Sequence, residues 1–531
     1  SDVHGTPTFA KSMATPAEPP MTTAREEPLL KPLGDDLIMQ TLVEAVQDDL
    51  LVQPSSWMSR TFGKGSLWGT VFNLCAATLG AGALSLPHAI AAMGLVPGLV
   101  LLTITAFATH YSIVLLVSCL AVTNARSFED LSVSLFGKRT GFLVEASIIV
   151  FCFGTCIAYT VAVGDIINPF LSDSTPDWLS RKLVMVFFWA GLMLPLSFVD
   201  KMSSLQCTSL FGIMALGYLV LAVTVHFLAD ASVSPQQTVD KVSMAHFSEN
   251  AVSASAILMF AFTCQVNVPS LYYELSQRTP GQMRAVSKRG VAICMLCYLV
   301  IGFSGYANFP DSQQGNVLKN YCVLDATKSS FADDPPRVMA PAFGAITLTV
   351  LMAYPVNLYP CRYALDVLCF PHWGDSYAFS RRVGLTLGIA ALSLVIALVV
   401  PDISVVFQLM GGTASAYVCF IMPAAFAWKL RESVPQMRTP GGRAACIALF
   451  LVGLLIGVLS TATTIAGTPA PLTRKRREPP HAQAARACCC CARSPTAPCT
   501  RDWSGLAARV GIFEDSPPDL DACDANMTSS R

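Results

Sequence analysis

Long apolar blocks separated by short polar stretches fill residues 65–467, and a polar tail lies on either side. A helix that crosses a bilayer needs about 20 mostly apolar residues, because its backbone polar groups must be satisfied within the segment. That requirement predicts eleven spans, at 67–90, 96–121, 141–167, 182–199, 205–229, 250–273, 287–308, 338–366, 382–400, 403–428 and 444–467. The chain therefore reads as an all-α integral membrane protein in contact with the lipid bilayer. Residues 1–64 are expected to form a disordered acidic tail, 65–467 the transmembrane domain, and 468–531 a disordered tail rich in Pro, Arg and Cys.

Lys and Arg distribute unevenly between alternate loops. With the N-terminus in the cytosol, the cytosolic loops carry 17 and the opposite loops 6, which sets the orientation by the positive-inside rule. The basic run Arg474–Arg477 falls on the other side in this count and departs from the rule. The four cysteines at 488–491 suit palmitoylation if cytosolic, or are low-complexity sequence. Glycosylation at Asn526 would instead report an exofacial tail.

Composition narrows the function classes. The chain is 53% hydrophobic and 13% charged, where soluble domains carry about 25% charge. Its 35 basic and 35 acidic residues balance, so no net field favours nucleic acid as a partner. The first 60 residues lack an apolar h-region, and no cleavable signal peptide is expected. Cysteines sit within or beside apolar runs, without the paired spacing of a zinc site, and Cys322 has no partner expected for a structural disulfide. No His-rich cluster, intramembrane carboxylate pair or nucleophile elbow points to an enzyme.

Two spans carry interruptions. Span one reads Thr78-Leu79-Gly80-Ala81-Gly82-Ala83-Leu84-Ser85-Leu86-Pro87, with two glycines and a proline near mid-membrane. Span six reads Phe260-Ala261-Phe262-Thr263-Cys264-Gln265-Val266-Asn267-Val268-Pro269, with two amides in an apolar helix. Gly and Pro weaken helix continuity, and amides at membrane depth should face protein, water or ligand. Small-residue packing and interhelical hydrogen bonding are the structural alternatives. Interruptions at matching positions of two five-helix halves point to an inverted-repeat secondary transporter. Freed N–H and C=O groups suit the ammonium and carboxylate of an α-amino acid.

The stretches Val71–Leu74, Gly80–Gly82 with Leu84–Pro87, Phe262–Glu274, Tyr354–Arg362 and Val406–Ser415 occur in the order found in the amino acid/auxin permease superfamily. The chain resembles its sodium-coupled neutral amino acid transporters and their vacuolar relatives over about residues 65–467. The resemblance implies eleven helices in a LeuT-like repeat of five plus five, with helices 1 and 6 broken. It also implies amino acid transport by alternating access, with the substrate lined by Gly80, Ala81, Gly82, Ala83, Thr263, Gln265 and Asn267. Residence in the plasma membrane or a vacuolar or lysosomal membrane follows, as does a sodium site between helices one and eight. Sodium-coupled members carry Asn and Thr where this chain has Ala76 and Ala353. Sodium prefers oxygen ligands, so either Thr347 and Thr349 substitute or a proton couples transport. Glu145, His110 and His226 are the proton candidates. An exporter, or a non-transporting sensor whose tail at residues 21–52 engages a partner, are the alternative functions. Neither the amino acid transported nor the oligomeric state is legible in the sequence.

Overall fold

The computed structural model describes residues 65–167, 180–198, 206–233, 242–245, 250–310, 313–321, 335–370 and 378–467. The two expected tails, the cysteine run at 488–491, Asn526 and Cys322 lie outside the described residues. Within them the chain is helical, and all belong to one compact unit.

The helices are α1 Leu67–Thr78, α2 Leu86–Met93, α3 Leu95–Thr123, α4 Phe128–Phe136, α5 Lys138–Ile167, α6 Arg181–Phe188 and α7 Gln206–Val233. They continue as α8 Ala251–Ala261, α9 Val268–Glu274, α10 Pro280–Asn308, α11 Pro335–Cys369, α12 Ala378–Val399, α13 Ile403–Met410, α14 Met422–Lys429 and α15 Pro440–Gly467. Nine helical segments among the described residues are long and apolar enough to cross a bilayer, and the bent pair Leu67–Thr78 and Ala81–Met93 makes a tenth. The fourth expected span is shorter. It runs as α6, a π-turn at Trp189–Met193 and one turn at Leu194–Leu196, a rise of about 24 Å at 1.5 Å per residue. Pro195, with no N–H to donate, lies in that last turn.

Local chemistry fixes the corners. Ser66 accepts from the Gly69 N–H at 3.0 Å and starts α1; Ser127 accepts from Asp130 to start α4; Thr279 accepts from Gln282 ahead of Pro280 to start α10. Asn124 ends α3 at φ 55°, the sole positive φ of a non-glycine among the described residues. Gly94, at φ 87°, turns α2 into α3.

The broken sixth span lies at the centre. Its apolar window is 78% buried, against 28% for Pro440–Ala466 and 33% for Phe379–Val399. Phe260 stacks on Phe407 at 4.5 Å and leans on Phe151 at 5.9 Å, which joins α8 to α13 and α5. Outside, Phe107, Phe187, Leu221, Leu296, Val395 and Leu455 are exposed, the apolar rind that a hydrocarbon solvent requires. The tenth expected span divides into α13, an 11-residue π-helical stretch at Gly411–Ile421, and α14. Such stretches widen a helix and occur often at functional sites.

Candidate functional site at two helix breaks

Both interruptions read in the sequence are present. α1 stops at Thr78, Leu79 and Gly80 are extended, and a 3₁₀ turn at Ala81–Ser85 leads into α2, with a bend of 49°. Pro87 sits in the first turn of α2, where a missing N–H costs nothing. In span six α8 stops at Ala261, and a 3₁₀ turn at Gln265–Asn267 precedes α9, with Pro269 again in the first turn.

The breaks touch. A Cβ on Gly82 would lie 2.9 Å from Ala261 Cα, so only glycine allows this approach. A Cβ on Gly80 would meet nothing within 4 Å, and Gly80 itself is exposed in mid-span. Ala83 is buried and Ala81 half-buried.

Ending a helix orphans its last carbonyls. Tyr298 on α10 answers two of them: its hydroxyl lies 2.8 Å from the Thr78 carbonyl oxygen and 2.9 Å from that of Ala261. The Gly80 backbone borders the same hydroxyl, and the tyrosine is wholly buried. One side chain on a third helix thus staples the two breaks. Nothing in the sequence marks it beyond its place in span seven.

The polar residues expected at span six divide. Gln265 is wholly buried; its Oε1 accepts from the Cys264 N–H at 3.0 Å, and its Nε2 has no partner. Two N–H donors in a dry site suit a carboxylate or carbonyl oxygen. Thr263 donates to the Met259 carbonyl at 3.0 Å and rests against the Cys419 thiol from the π-helical stretch. Asn267 is exposed. In that stretch the buried Ser415 hydroxyl has no partner, and the Cys419 carbonyl accepts from Ser112.

The coupling-ion candidates do not gather in one place. Ala76 and Ala353 are half-buried and offer methyl groups. Thr347 and Thr349 donate into their own helix, to Phe343 and Ala345, both at 2.8 Å. The Thr349 methyl faces Gly212 on α7. Glu145 is half-buried and near Glu129. His110 Nδ1 lies 2.9 Å from Ser287 Oγ, and His226 packs edge-on against Tyr321 at 5.0 Å.

A charged cluster that the sequence reading missed lies at one end of the bundle. Asp165, fully buried near the end of α5, pairs with Arg181 at 2.9 Å and Lys319 at 3.6 Å. Lys319 also reaches Asp402 at 3.4 Å, whose other oxygen caps α13 through the Ser404 N–H at 3.0 Å. Burial pushes the Asp402 carboxyl up, but the Ser404 N–H, Lys319 and His88 together hold it below the usual carboxylate range. Ser85, just after the first break, donates to the Gly315 carbonyl in the loop that carries Lys319. An acidic residue inside an apolar span was the available signal; its partners, 16 and 154 residues away, were not.

The structure is similar to MhsT in complex with L-phenylalanine, at 12% identity and TM-score 0.49 over 75% of this chain and 98% of that one. In sequence the chain is 27% identical to vacuolar amino acid transporter 5 of Schizosaccharomyces pombe, over 76% of this chain and 95% of the relative. It is 26% identical to solute carrier family 38 member 10 of Mus musculus over 78% of this chain, spanning 38% of that longer protein. Residues 63–466 match the transmembrane amino acid transporter protein family, and the chain, a multi-pass membrane protein and no enzyme, belongs to that family.

Proposed function

We propose that this protein is a secondary active transporter of neutral amino acids that works by alternating access around the breaks at Gly80–Ala83 and Thr263–Asn267. The observation that carries this reading is the unpartnered, buried Gln265 amide beside two helix interruptions joined through Tyr298. Free N–H groups there would hold the substrate carboxylate, and free carbonyls its ammonium. The charge bias of the loops favours a cytosolic N-terminus. The fission yeast relative's name favours a vacuolar-type membrane.

Ala76 and Ala353 supply no side-chain oxygen, which favours a proton over sodium as coupling ion. Uptake of labelled glutamine and alanine into proteoliposomes, with sodium and proton gradients imposed separately, tests both parts. Uptake driven by protons alone is expected. Binding without uptake would replace the transporter with a sensor. Gln265→Ala should raise KM about tenfold or more through the lost contact to substrate, with protein yield close to wild type.

A further inference from the structure

Two carbonyl oxygens that converge in a dry interior present the negative ends of two helices to one point. They repel unless something positive lies between them, either a cation or a polarised hydrogen. Thr78 and Ala261 supply such a pair here, and the hydroxyl between them belongs to Tyr298, at 2.8 Å and 2.9 Å. A phenol has a single proton to give, so the two carbonyls share it or take it in turn. Its oxygen remains an acceptor on the side where the Gly80 backbone lies.

The side chain is held for that task. Tyr298 is wholly buried, and its ring meets Phe262 edge-on with centroids 5.1 Å apart, which pins it to the residue that directly follows the end of α8. Packing alone would be served by phenylalanine, so the hydroxyl answers to the carbonyls.

We propose that Tyr298 is a positioning residue whose hydroxyl proton fills the place between the Thr78 and Ala261 carbonyls that an alkali cation would otherwise occupy, so that amino acid binding at the breaks needs no sodium. The proposal rests on the reading of the breaks as the substrate site and deepens it. Tyr298 does not touch substrate; it sets the distance between the two half-helix ends that do.

Binding, read separately from transport, provides the test. Full-length wild type and Tyr298→Phe in detergent are titrated with alanine and with glutamine, and the thermal midpoint is followed in sodium chloride and in choline chloride. Wild-type affinity is expected to agree within threefold in the two salts. Tyr298→Phe in choline should bind about tenfold more weakly, as two orphaned carbonyls separate, and sodium should recover at least threefold of that loss.

Recovery by sodium is what a merely structural tyrosine would not produce. Tyr298→Phe within threefold of wild type in choline, or weakened with no recovery by sodium, overturns the proposal. Wild-type binding that needs sodium overturns it as well. Should Tyr298→Phe fail to purify as a single species, the wild-type salt comparison decides alone. Failure of uptake with intact binding would count against transport and leave the role of Tyr298 standing.

Discussion

Gly411→Ala is expected to reduce uptake to background and to lower the thermal midpoint of the purified protein by several degrees. A Cβ at 411 would sit 1.9 Å from the Ala256 carbonyl oxygen and 2.5 Å from its carbon. Both are backbone atoms, so no rotamer change relieves the clash, and α8 or the π-helical stretch must move. α8 has little room, since Phe260 is stacked on Phe407 at 4.5 Å and Ala261 faces Gly82 across a gap that excludes a Cβ. Overpacking of this kind costs about 1–3 kcal/mol or more, and here the displacement reaches the first break directly. Gly388→Ala is the matched control: its Cβ would meet nothing within 4 Å, so midpoint and uptake should stay at wild-type values. Equal behaviour of the two variants would mean that α8 and the π-helical stretch are not in the contact described.

What the sequence revealed of this site divides along a physical line. The breaks at Gly80 and Thr263 were legible because glycine and proline act on their own backbone, within the few residues that a sequence window displays. The sequence showed only that the two amides of span six should face protein, water or ligand; it did not separate Gln265, which is buried, from Asn267, which is exposed. Tyr298 was not legible, because its role depends on two carbonyls 220 and 37 residues away. The same holds for Asp165: only the fold brings Arg181 and Lys319 to it. Thr347 and Thr349 illustrate the opposite case. Mid-helix threonines have a local acceptor four residues back, and both use it. The π-helical stretch from Gly411 appeared as part of a continuous span because its apolar content matches that of an α-helix, and hydropathy carries no information on hydrogen-bond register. The fourth span likewise passes through a π-turn before the turn that holds Pro195, which apolarity does not display.

Asp165→Ala is the second large effect expected. The wild-type carboxylate is fully buried between Arg181 and Lys319. Its removal leaves two cations with only Asp402, which Lys319 already contacts at 3.4 Å. Removing one partner of a buried ion pair typically costs about 3–5 kcal/mol, because the surviving charge is left uncompensated. Lys319→Met should cost less, since Arg181 still neutralises Asp165, and the double variant should lose less than the two single variants summed, because the Asp165–Lys319 contact is then removed only once. Thermal midpoints of the four proteins form the cycle that measures this coupling. Its pH dependence is also defined. Asp402 is held below the usual carboxylate range by the Ser404 N–H, Lys319 and His88, against burial. A depressed carboxyl contributes stability above its unfolded value of about 3.9 and loses it as pH falls through the lower folded value. Between Asp165→Ala and the double variant, where Asp402 is the carboxylate that faces Lys319, the difference should therefore be the same at pH 7 and pH 5 and shrink only below the usual carboxylate range. A difference already lost at pH 5 in that pair would show that Asp402 titrates above the usual carboxylate range and that Lys319 does not hold it.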